Sequence, residues 1–240
     1  MTFKHKQKPK DIHAFVATPA YDGKVECNYS QSLAEASFCA PLYGIRVTAS
    51  VMGNGAFIEL ARNIFVKRFL EETECTHLFF IDADLRFQPN AFIGLLQADM
   101  PICAGVYRRR QEPEDYPVVY AEHPEKGGFW VENDWVMCKR VPTGFLCIRR
   151  DVVEEMAKEA RQVNIPDQKG PVPWLFYTKF DDQGRFVGED YSFSDDYVKK
   201  YGKHIPIWPG FDFIHGGYKG TLSEYLERMN PRDETTSSAA

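Results

Sequence analysis

The chain has 240 residues, 44% of them hydrophobic and 14% aromatic, which is enough apolar material for one substantial core. Its formal net charge of −5 argues against a general nucleic-acid binder, because such proteins normally present a basic face. No apolar run approaches the roughly 18 residues that a membrane-spanning helix needs, so no transmembrane segment is expected.

The cysteines and the chain ends bear on location and domain organisation. The six cysteines include no CxxC pair, which favours a reducing compartment and no structural zinc. The basic segment MTFKHKQKPKD lacks the apolar stretch of a secretory signal. We therefore predict a cytoplasmic protein with a flexible tail over residues 1–11, one domain over residues 12–229 and a second flexible tail over residues 230–240.

Strand and helix patterns alternate through the first half of the chain. Apolar runs and period-two alternation predict strands over residues 13–17, 45–51, 78–81 and 102–106. Helical spacing predicts helices over residues 29–39, from a cap at Asn54 to Phe69, and from Pro89 onward. This alternation favours an α/β domain with a parallel, helix-covered sheet.

The second half of the chain is less regular. Strands or hairpins are predicted over residues 116–120 and 130–141, and a short strand over residues 144–149. Helices are predicted over residues 151–162, with Asp151 as the N-cap, and from Gly188 to Tyr201. No internal domain boundary is evident, so this half elaborates the same domain.

Polar residues follow three of the predicted strands. Thr18-Pro19 follows the first strand, Asp82-Ala83-Asp84 follows the run HLFFI, and Arg108–Arg110 follow the strand at residue 102. Ligands of parallel sheets bind outside the carboxyl ends of the strands. These features are therefore expected to meet at one edge of the sheet.

The acidic pair Asp82 and Asp84 at the end of an apolar strand has three readings. The two carboxylates can hold a hard divalent cation such as Mg²⁺ or Mn²⁺ together with substrate phosphates. They can instead be a nucleophile with its acid partner, or a merely polar strand exit.

Several stretches resemble the GT-A fold glycosyltransferases. FFIDADLRFQPNAFIGLL, followed by AGVYRRR, is similar to the metal-binding strand of that superfamily with its DxD motif and following helix. Upstream, GAFIELARNIFVKRFLEE resembles the helix that precedes this strand in the superfamily. Downstream, VPTGFLCIRRDVVEEM resembles the acceptor-side segment, GEDYSFSDDYVKKYG resembles the acidic start of a late helix, and FIHGG resembles the segment with the late histidine, all in the expected order. The resemblance covers about residues 12 to 220 and implies a Rossmann-like, mixed, mostly parallel central sheet flanked by helices.

The resemblance implies a metal site for Mn²⁺ or Mg²⁺. Asp84 would ligate the ion, and Asp82 would contact the metal or the donor ribose, with Ala83 between them in the donor-binding segment. His215 would be the third protein ligand, and its imidazole suits Mn²⁺ somewhat better than Mg²⁺.

The same resemblance implies roles in donor binding and catalysis. The loop that cradles the nucleotide base would contain Thr18, Pro19 and Tyr21. Arg62 would contact the donor, and Asp190, or Glu189 beside it, would be the catalytic carboxylate on the acceptor side.

The implied activity is transfer of a hexosyl or deoxyhexosyl group from a nucleotide sugar to a hydroxyl of a carbohydrate or glycoconjugate. A divalent cation stabilises the departing diphosphate, and a carboxylate accepts the proton of the attacking hydroxyl. UDP is the expected nucleotide, because uridine is the commonest base among DxD enzymes. A carboxylate base favours inversion, although retaining members share the metal site.

Three other functions are compatible with an apolar strand that ends in DxD. In a haloacid-dehalogenase-type phosphatase the first Asp is the nucleophile, but that motif lies near the N-terminus and usually continues with Thr or Val where this chain has Arg86-Phe87. A nucleotidyltransferase acting on sugar phosphates would show a Gly-rich basic N-terminal loop. A non-catalytic sugar- or nucleotide-binding protein would retain the motifs without the activity.

Overall fold

The computed structural model describes residues 11–53 and 57–229. The predicted tails, apart from Asp11, and the predicted cap Asn54 lie outside this part of the chain. The helices are α1 Cys27–Cys39, α2 Ile58–Glu72, α3 Pro89–Gln97, α4 Arg150–Glu159, α5 Glu189–Tyr201 and α6 Leu222–Met229, with a 3₁₀ turn at Ala40–Tyr43. The strands are β1 Ile12–Ala20, β2 Ile45–Gly53, β3 His77–Ile81, β4 Leu85–Arg86, β5 Ile102–Gly105, β6 Val119–Tyr120, β7 Val131–Glu132, β8 Trp135–Arg140, β9 Phe145–Arg149, β10 Arg161–Val163, β11 Val172–Trp174, β12 Lys179–Phe180, β13 Phe186–Val187, β14 Ile205–Trp208, β15 Asp212–His215 and β16 Tyr218–Thr221.

A mixed sheet forms the centre of the protein. Its strand order is β2-β1-β3-β9-β5-β14-β8-β6, with β7 also paired to β8. Among the described residues, three of its strand pairs are parallel and five are antiparallel. The prediction of an α/β fold with a mixed central sheet is confirmed, and such a sheet is compatible with a Rossmann-like fold. The prediction that most of its strand pairs are parallel is wrong.

The strand β9 is the main reason for that correction. It runs antiparallel between β3 and β5, so it separates two strands that a simple β-α-β alternation would place side by side. Its side chains are apolar on both faces, as a central strand requires, with Phe145 and Cys147 on one side and Leu146 and Ile148 on the other. Apolar character predicts burial, but it carries no information about strand direction.

Two cores cover the two faces of the sheet. Because side chains alternate along β3, Leu78 and Phe80 lie in one core while Phe79 and Ile81 lie in the other. The first core contains the buried side of α2 and Phe193 of α5, and the second contains apolar residues of α3 and Tyr29 of α1. Within residues 11–53 and 57–229, no helix combines the length and the apolar character needed to cross a bilayer.

The predicted bounds are most accurate for elements that have a strong local sequence pattern. The strand β3, the start of α3 at Pro89 and the helix α5 match the predictions within one residue. The helix α4 ends at Glu159 rather than residue 162, because Arg161–Val163 pairs with Val172–Trp174 as a strand. Asp151 lies inside the first turn of α4, where it bonds to Arg149, rather than at the N-cap.

A small sheet, β16-β15-β4, lies beside the acidic turn and was not predicted. The strand β15 pairs with β4 so that His215 lies opposite Leu85, the residue after Asp84. The hairpin from β15 to β16 turns at Gly216 and Gly217, whose φ values of +54° and +87° suit glycine. This pairing brings a residue from the end of the chain beside the DxD turn.

Candidate active site

The candidate site lies at the edge of the sheet where β1, β3 and β5 end and β9 begins. A cleft of about 600 Å³ opens there. Its lining comes from the loop between residues 19 and 26, from Ile58 and Arg62 of α2, and from residues 82–84. Two of the three polar features predicted to meet at this edge line the cleft, the first through Pro19 and the second through residues 82–84. The third feature contributes Arg110, which forms an ion pair with Asp84.

The turn after β3 directs its two acids to different partners. The backbone N–H of Asp82 donates to the carbonyl of Gly144 at 3.0 Å, which holds the turn against the start of β9. The Asp82 carboxylate accepts hydrogen bonds from Tyr107 Oη at 2.8 Å and from Arg62 Nη2 at 3.4 Å. Each carboxylate oxygen of Asp82 therefore has one protein donor on the inner side of the cleft.

Arg62 is a buried cation that connects the acidic turn after β3 to the start of α5. Its side chain is 6% exposed and forms ion pairs with Asp82 and with Glu189. Burial alone would lower the pKa of Arg62, but Asp82, Glu189 and Asp190 outweigh it and the net direction is upward. Its Nε is buried without a hydrogen-bond partner among the described residues, so one donor of this guanidinium remains open.

Asp84 and His215 face each other on the outer side of the turn. The distance from Asp84 Oδ1 to His215 Nε2 is 3.7 Å. His215 Nδ1 lies 3.1 Å from the carbonyl oxygen of Arg108, and since a carbonyl only accepts, Nδ1 carries the proton. Burial lowers the pKa of His215, so its ring is neutral at pH 7 and Nε2 presents a lone pair.

The chemistry of this pair fits a divalent cation. Asp84 Oδ1 is buried and has no hydrogen-bond partner in the described part of the chain. It faces Nε2 of His215, which is also an acceptor, so the two atoms cannot hydrogen-bond to each other. A carbonyl that fixes the tautomer of the ring is the usual support for a metal-binding histidine. Across residues 11–53 and 57–229, however, no group of three or more His, Cys, Asp or Glu is placed to hold a metal. Asp82, predicted to contact the metal or the donor ribose, bonds instead to Arg62 and Tyr107.

The two candidate catalytic carboxylates differ in their surroundings. Glu189 is paired with the buried guanidinium of Arg62. Asp190 Oδ1 accepts the backbone N–H of Tyr191 at 2.7 Å, and no described residue bonds to Oδ2. Burial, followed by the charge of Glu189, raises the pKa of Asp190 to about 6 from an ordinary value of 3.8. A carboxylate with a free oxygen and a pKa near neutrality is suited to general base work.

The predicted nucleotide loop is only partly available to a ligand. Pro19 and Tyr21 line the cleft, and Tyr21 is 78% exposed. Thr18 is fully buried and its hydroxyl lies 2.5 Å from that of Tyr29, so it ties β1 to α1 and does not contact the cleft. The carbonyl of Ala83 accepts the backbone N–H of Glu26 at 2.8 Å, which closes the loop onto the acidic turn.

Two residues essential to the geometry were missed by the sequence reasoning, Tyr107 and Gly144. The ring of Tyr107 lies 4.7 Å from that of His215, while its hydroxyl holds Asp82. A Cβ at position 144 would lie 2.0 Å from both Asp82 Oδ2 and Tyr107 Oη, so only glycine fits. The glycine after VPT was the available signal, because an isolated glycine at a strand start often marks a close approach.

Gly144→Ala is expected to destabilise the fold and displace the Asp82–Tyr107 pair. The added methyl group overlaps both oxygens, and overpacking of this kind costs about 1–3 kcal/mol of unfolding free energy. Urea denaturation measures the loss. Tyr107→Phe removes one of the two clashing oxygens, so the double variant should lose less stability than the sum of the single variants. Strict additivity would contradict this geometry.

Comparisons with known proteins give limited information. No protein-family model and no curated protein sequence matches this chain. A comparison of structures finds A197 from STIV, 16% identical over 85% of each chain, with a TM-score of 0.47. It also finds a glycosyltransferase involved in the glycosylation of the major capsid of PBCV-1, 9% identical over 60% of this chain and 63% of that one, with a TM-score of 0.30. TM-scores this low identify neither a fold family nor an activity for this chain.

Proposed function

We propose that this protein is a metal-dependent glycosyltransferase of the GT-A type that transfers a hexosyl or deoxyhexosyl group from a nucleotide sugar to a hydroxyl of a carbohydrate or glycoconjugate. The observation that carries the proposal is the pairing of β15 with β4, which sets His215 against Asp84 at the mouth of the cleft. No local sequence pattern brings Asp84 and His215 together, because they are far apart in the chain. If Asp82 and Asp84 were only a polar end to β3, no histidine would be needed beside Asp84.

Asp84 and His215 are the residues that would hold Mn²⁺ or Mg²⁺. Such ions are commonly bound by one or two protein ligands together with substrate phosphates and water, so a two-residue seat suffices when the donor is bound. When bound, the ion would neutralise negative charge on the departing diphosphate. Asp82 supports the site by fixing Arg62 and Tyr107.

The donor nucleotide would lie in the cleft between the loop at residues 19–26 and α2. Tyr21 offers an exposed ring on which a base can stack, and Ile58 adds apolar surface to the lining of the same cleft. UDP is the expected nucleoside diphosphate. Arg62 lines the inner side of this cleft, where its positive charge would favour the phosphates of a bound donor.

Asp190 would act as the base and Glu189 as the residue that orients Arg62. The acceptor hydroxyl must lose a proton as it attacks; Asp190 Oδ2 has no hydrogen-bond partner among the described residues, and Asp190, unlike Glu189, forms no ion pair with Arg62 there. Direct attack with one carboxylate base corresponds to inversion of the anomeric centre.

A thermal-shift panel of nucleotides and nucleotide sugars, with and without Mn²⁺, tests the proposal. A bound nucleoside diphosphate at about a hundred times its Kd should raise the Tm by about 5 °C or more, and only when Mn²⁺ is present. Nucleoside triphosphates and sugar phosphates belong in the panel, since a preference for them would indicate a nucleotidyltransferase. Absence of any metal-dependent shift would refute the proposal.

Asp84→Ala is the matched variant for that panel. It should abolish the Mn²⁺-dependent part of the shift and leave the Tm of the free protein within a few degrees, because Asp84 is partly exposed. Asp182→Ala, at an exposed turn position, is the control and should respond as the wild type does. A metal-dependent shift that persists in Asp84→Ala would remove the metal assignment.

A further inference from the structure

Arg110 occupies the outer side of the acidic turn. Its Nη2 forms an ion pair with Asp84 Oδ2, while Asp84 Oδ1 faces His215. The turn at Gly216 packs directly on this side chain, because a Cβ there would lie 2.6 Å from Arg110 Nε. The guanidinium is therefore seated between the proposed metal ligands and the β15–β16 turn.

The other two arginines of the run are engaged elsewhere. Arg108 bonds to Glu112 and lies over the ring of Tyr218, with its Cζ 5.1 Å from the ring centre. Arg109 pairs with Asp115 at 2.8 Å. Of the three, Arg110 is the one directed at the candidate site.

The ion pair of Arg110 has the character of a contact that exchanges easily. The side chains of Arg110 and Asp84 are 42% and 32% exposed. Pairs with this degree of exposure contribute little to stability, because water solvates the separated charges well. By contrast, Arg62 is held in a buried network with two carboxylates.

A divalent cation and Arg110 would compete for the same carboxylate. Two positive charges at one Asp84 repel each other, so each weakens the binding of the other. A guanidinium that leaves Asp84 remains at the mouth of the cleft, where a diphosphate would lie. Its planar pair of donors matches phosphate oxygens.

We propose that Arg110 neutralises Asp84 while the site is free of cation, and contacts the diphosphate of the nucleoside diphosphate once the cation is bound. This inference rests on the proposed function. It assigns to one side chain two effects of opposite sign, weaker binding of the metal alone and stronger binding of the nucleotide. A purely structural arginine would produce neither.

The test uses the full chain with Arg110→Ala, Arg110→Lys and, as the matched control, Arg109→Ala. Electron paramagnetic resonance of free Mn²⁺ measures the affinity for the metal alone, and calorimetry measures the affinities for UDP and GDP at saturating Mn²⁺. Arg110→Ala should bind Mn²⁺ roughly fivefold tighter because a competing charge is removed. It should bind the nucleoside diphosphate roughly tenfold more weakly, because charged hydrogen bonds to phosphate are lost. Arg110→Lys should fall between, and Arg109→Ala should match the wild type in both.

Either an unchanged Mn²⁺ affinity or an unchanged nucleotide affinity in Arg110→Ala overturns the inference. If the wild type binds Mn²⁺ and a nucleoside diphosphate while Arg110→Ala matches it, the proposed function stands and only the assignment of Arg110 fails. If the wild type binds neither, the proposed function fails and this inference fails with it. Circular dichroism on each variant confirms that differences in binding do not come from unfolding.

Discussion

Asp190→Asn is expected to abolish most turnover and, at the same time, to make the protein more stable above pH 6. A positioned general base typically contributes a factor of about 10² to 10⁴ to the rate, so transfer should fall by that order while nucleotide binding is retained. The opposite sign on stability follows from the raised pKa of Asp190, about 6 in the folded protein against an ordinary value of 3.8.

The direction of the stability effect follows from proton linkage. A carboxyl whose pKa is raised on folding favours the folded state when protonated, and that contribution disappears as the pH rises through about 6. The wild type therefore carries the cost of a buried, ionised Asp190 at pH 8 but not at pH 4. Asparagine does not titrate, so the variant should exceed the wild type by about 3 kcal/mol at pH 8, and the difference should shrink to below about 1 kcal/mol near pH 4.

Urea denaturation at pH 4 and pH 8, together with a pH profile of kcat/KM, measures both effects. The acid limb of the wild-type profile should lie near pH 6, as expected for a base with the pKa of Asp190. Glu189→Gln is the contrasting variant. It should lose stability, because it leaves the guanidinium of Arg62 with one carboxylate fewer. If Glu189→Gln is inactive and Asp190→Asn retains turnover, the two roles are exchanged.

Arg62→Met is expected to lose about 3–5 kcal/mol of unfolding free energy, the cost of leaving buried charges without their partner. The guanidinium is the shared partner of Asp82 and Glu189, whose side chains are 27% and 15% exposed. Methionine preserves much of the volume, so the loss reports the charge rather than a cavity. Donor binding should weaken as well, because Arg62 lines the cleft.

Two comparisons make the Arg62 experiment specific. Adding Glu189→Gln to Arg62→Met removes one of the stranded carboxylates, so the double variant should recover part of the lost stability. Arg149→Met breaks an ion pair with Asp151 whose side chains are 35% and 57% exposed, and it should cost less than about 1 kcal/mol. Equal losses for Arg62→Met and Arg149→Met would show that burial of the network is not what holds the site together.

Much of the candidate site could be predicted because its parts lie directly after strong local patterns. A run of four buried apolar residues, Leu78 to Ile81, must end before charged residues, which places Asp82 and Asp84 at the rim of a sheet. The helix that starts at Glu189 follows from a glycine, two acids at the positive end of the helix dipole and apolar residues at helical spacing. Arg62 was expected at the site only from the resemblance of its helix to the GT-A enzymes, and the structure places it in the lining of the cleft together with Ile58.

The parts that could not be predicted depend on contacts between residues distant in the chain. Tyr107 and Gly144 meet Asp82 only because β9 runs antiparallel beside β3 and β5. Thr18 follows a predicted strand, as Asp82 and Asp84 do, yet its hydroxyl is buried and hydrogen-bonded to the hydroxyl of Tyr29. The partners of buried polar groups are chosen by packing, and packing is not encoded in any local window.

The sequence by itself therefore determined the first four long strands of the central sheet, the helices with clear apolar spacing and the strand and helix ends that carry acids, because those outcomes follow from apolar periodicity and from the chemistry of helix starts. The tertiary structure alone decided that His215 lies against Asp84, that Arg110 is the arginine directed at them, and that Glu189 rather than Asp190 forms the ion pair with Arg62. The physical reason is that adjacent residues at a helix start point about 100° apart, so one of them meets a buried guanidinium and the other does not.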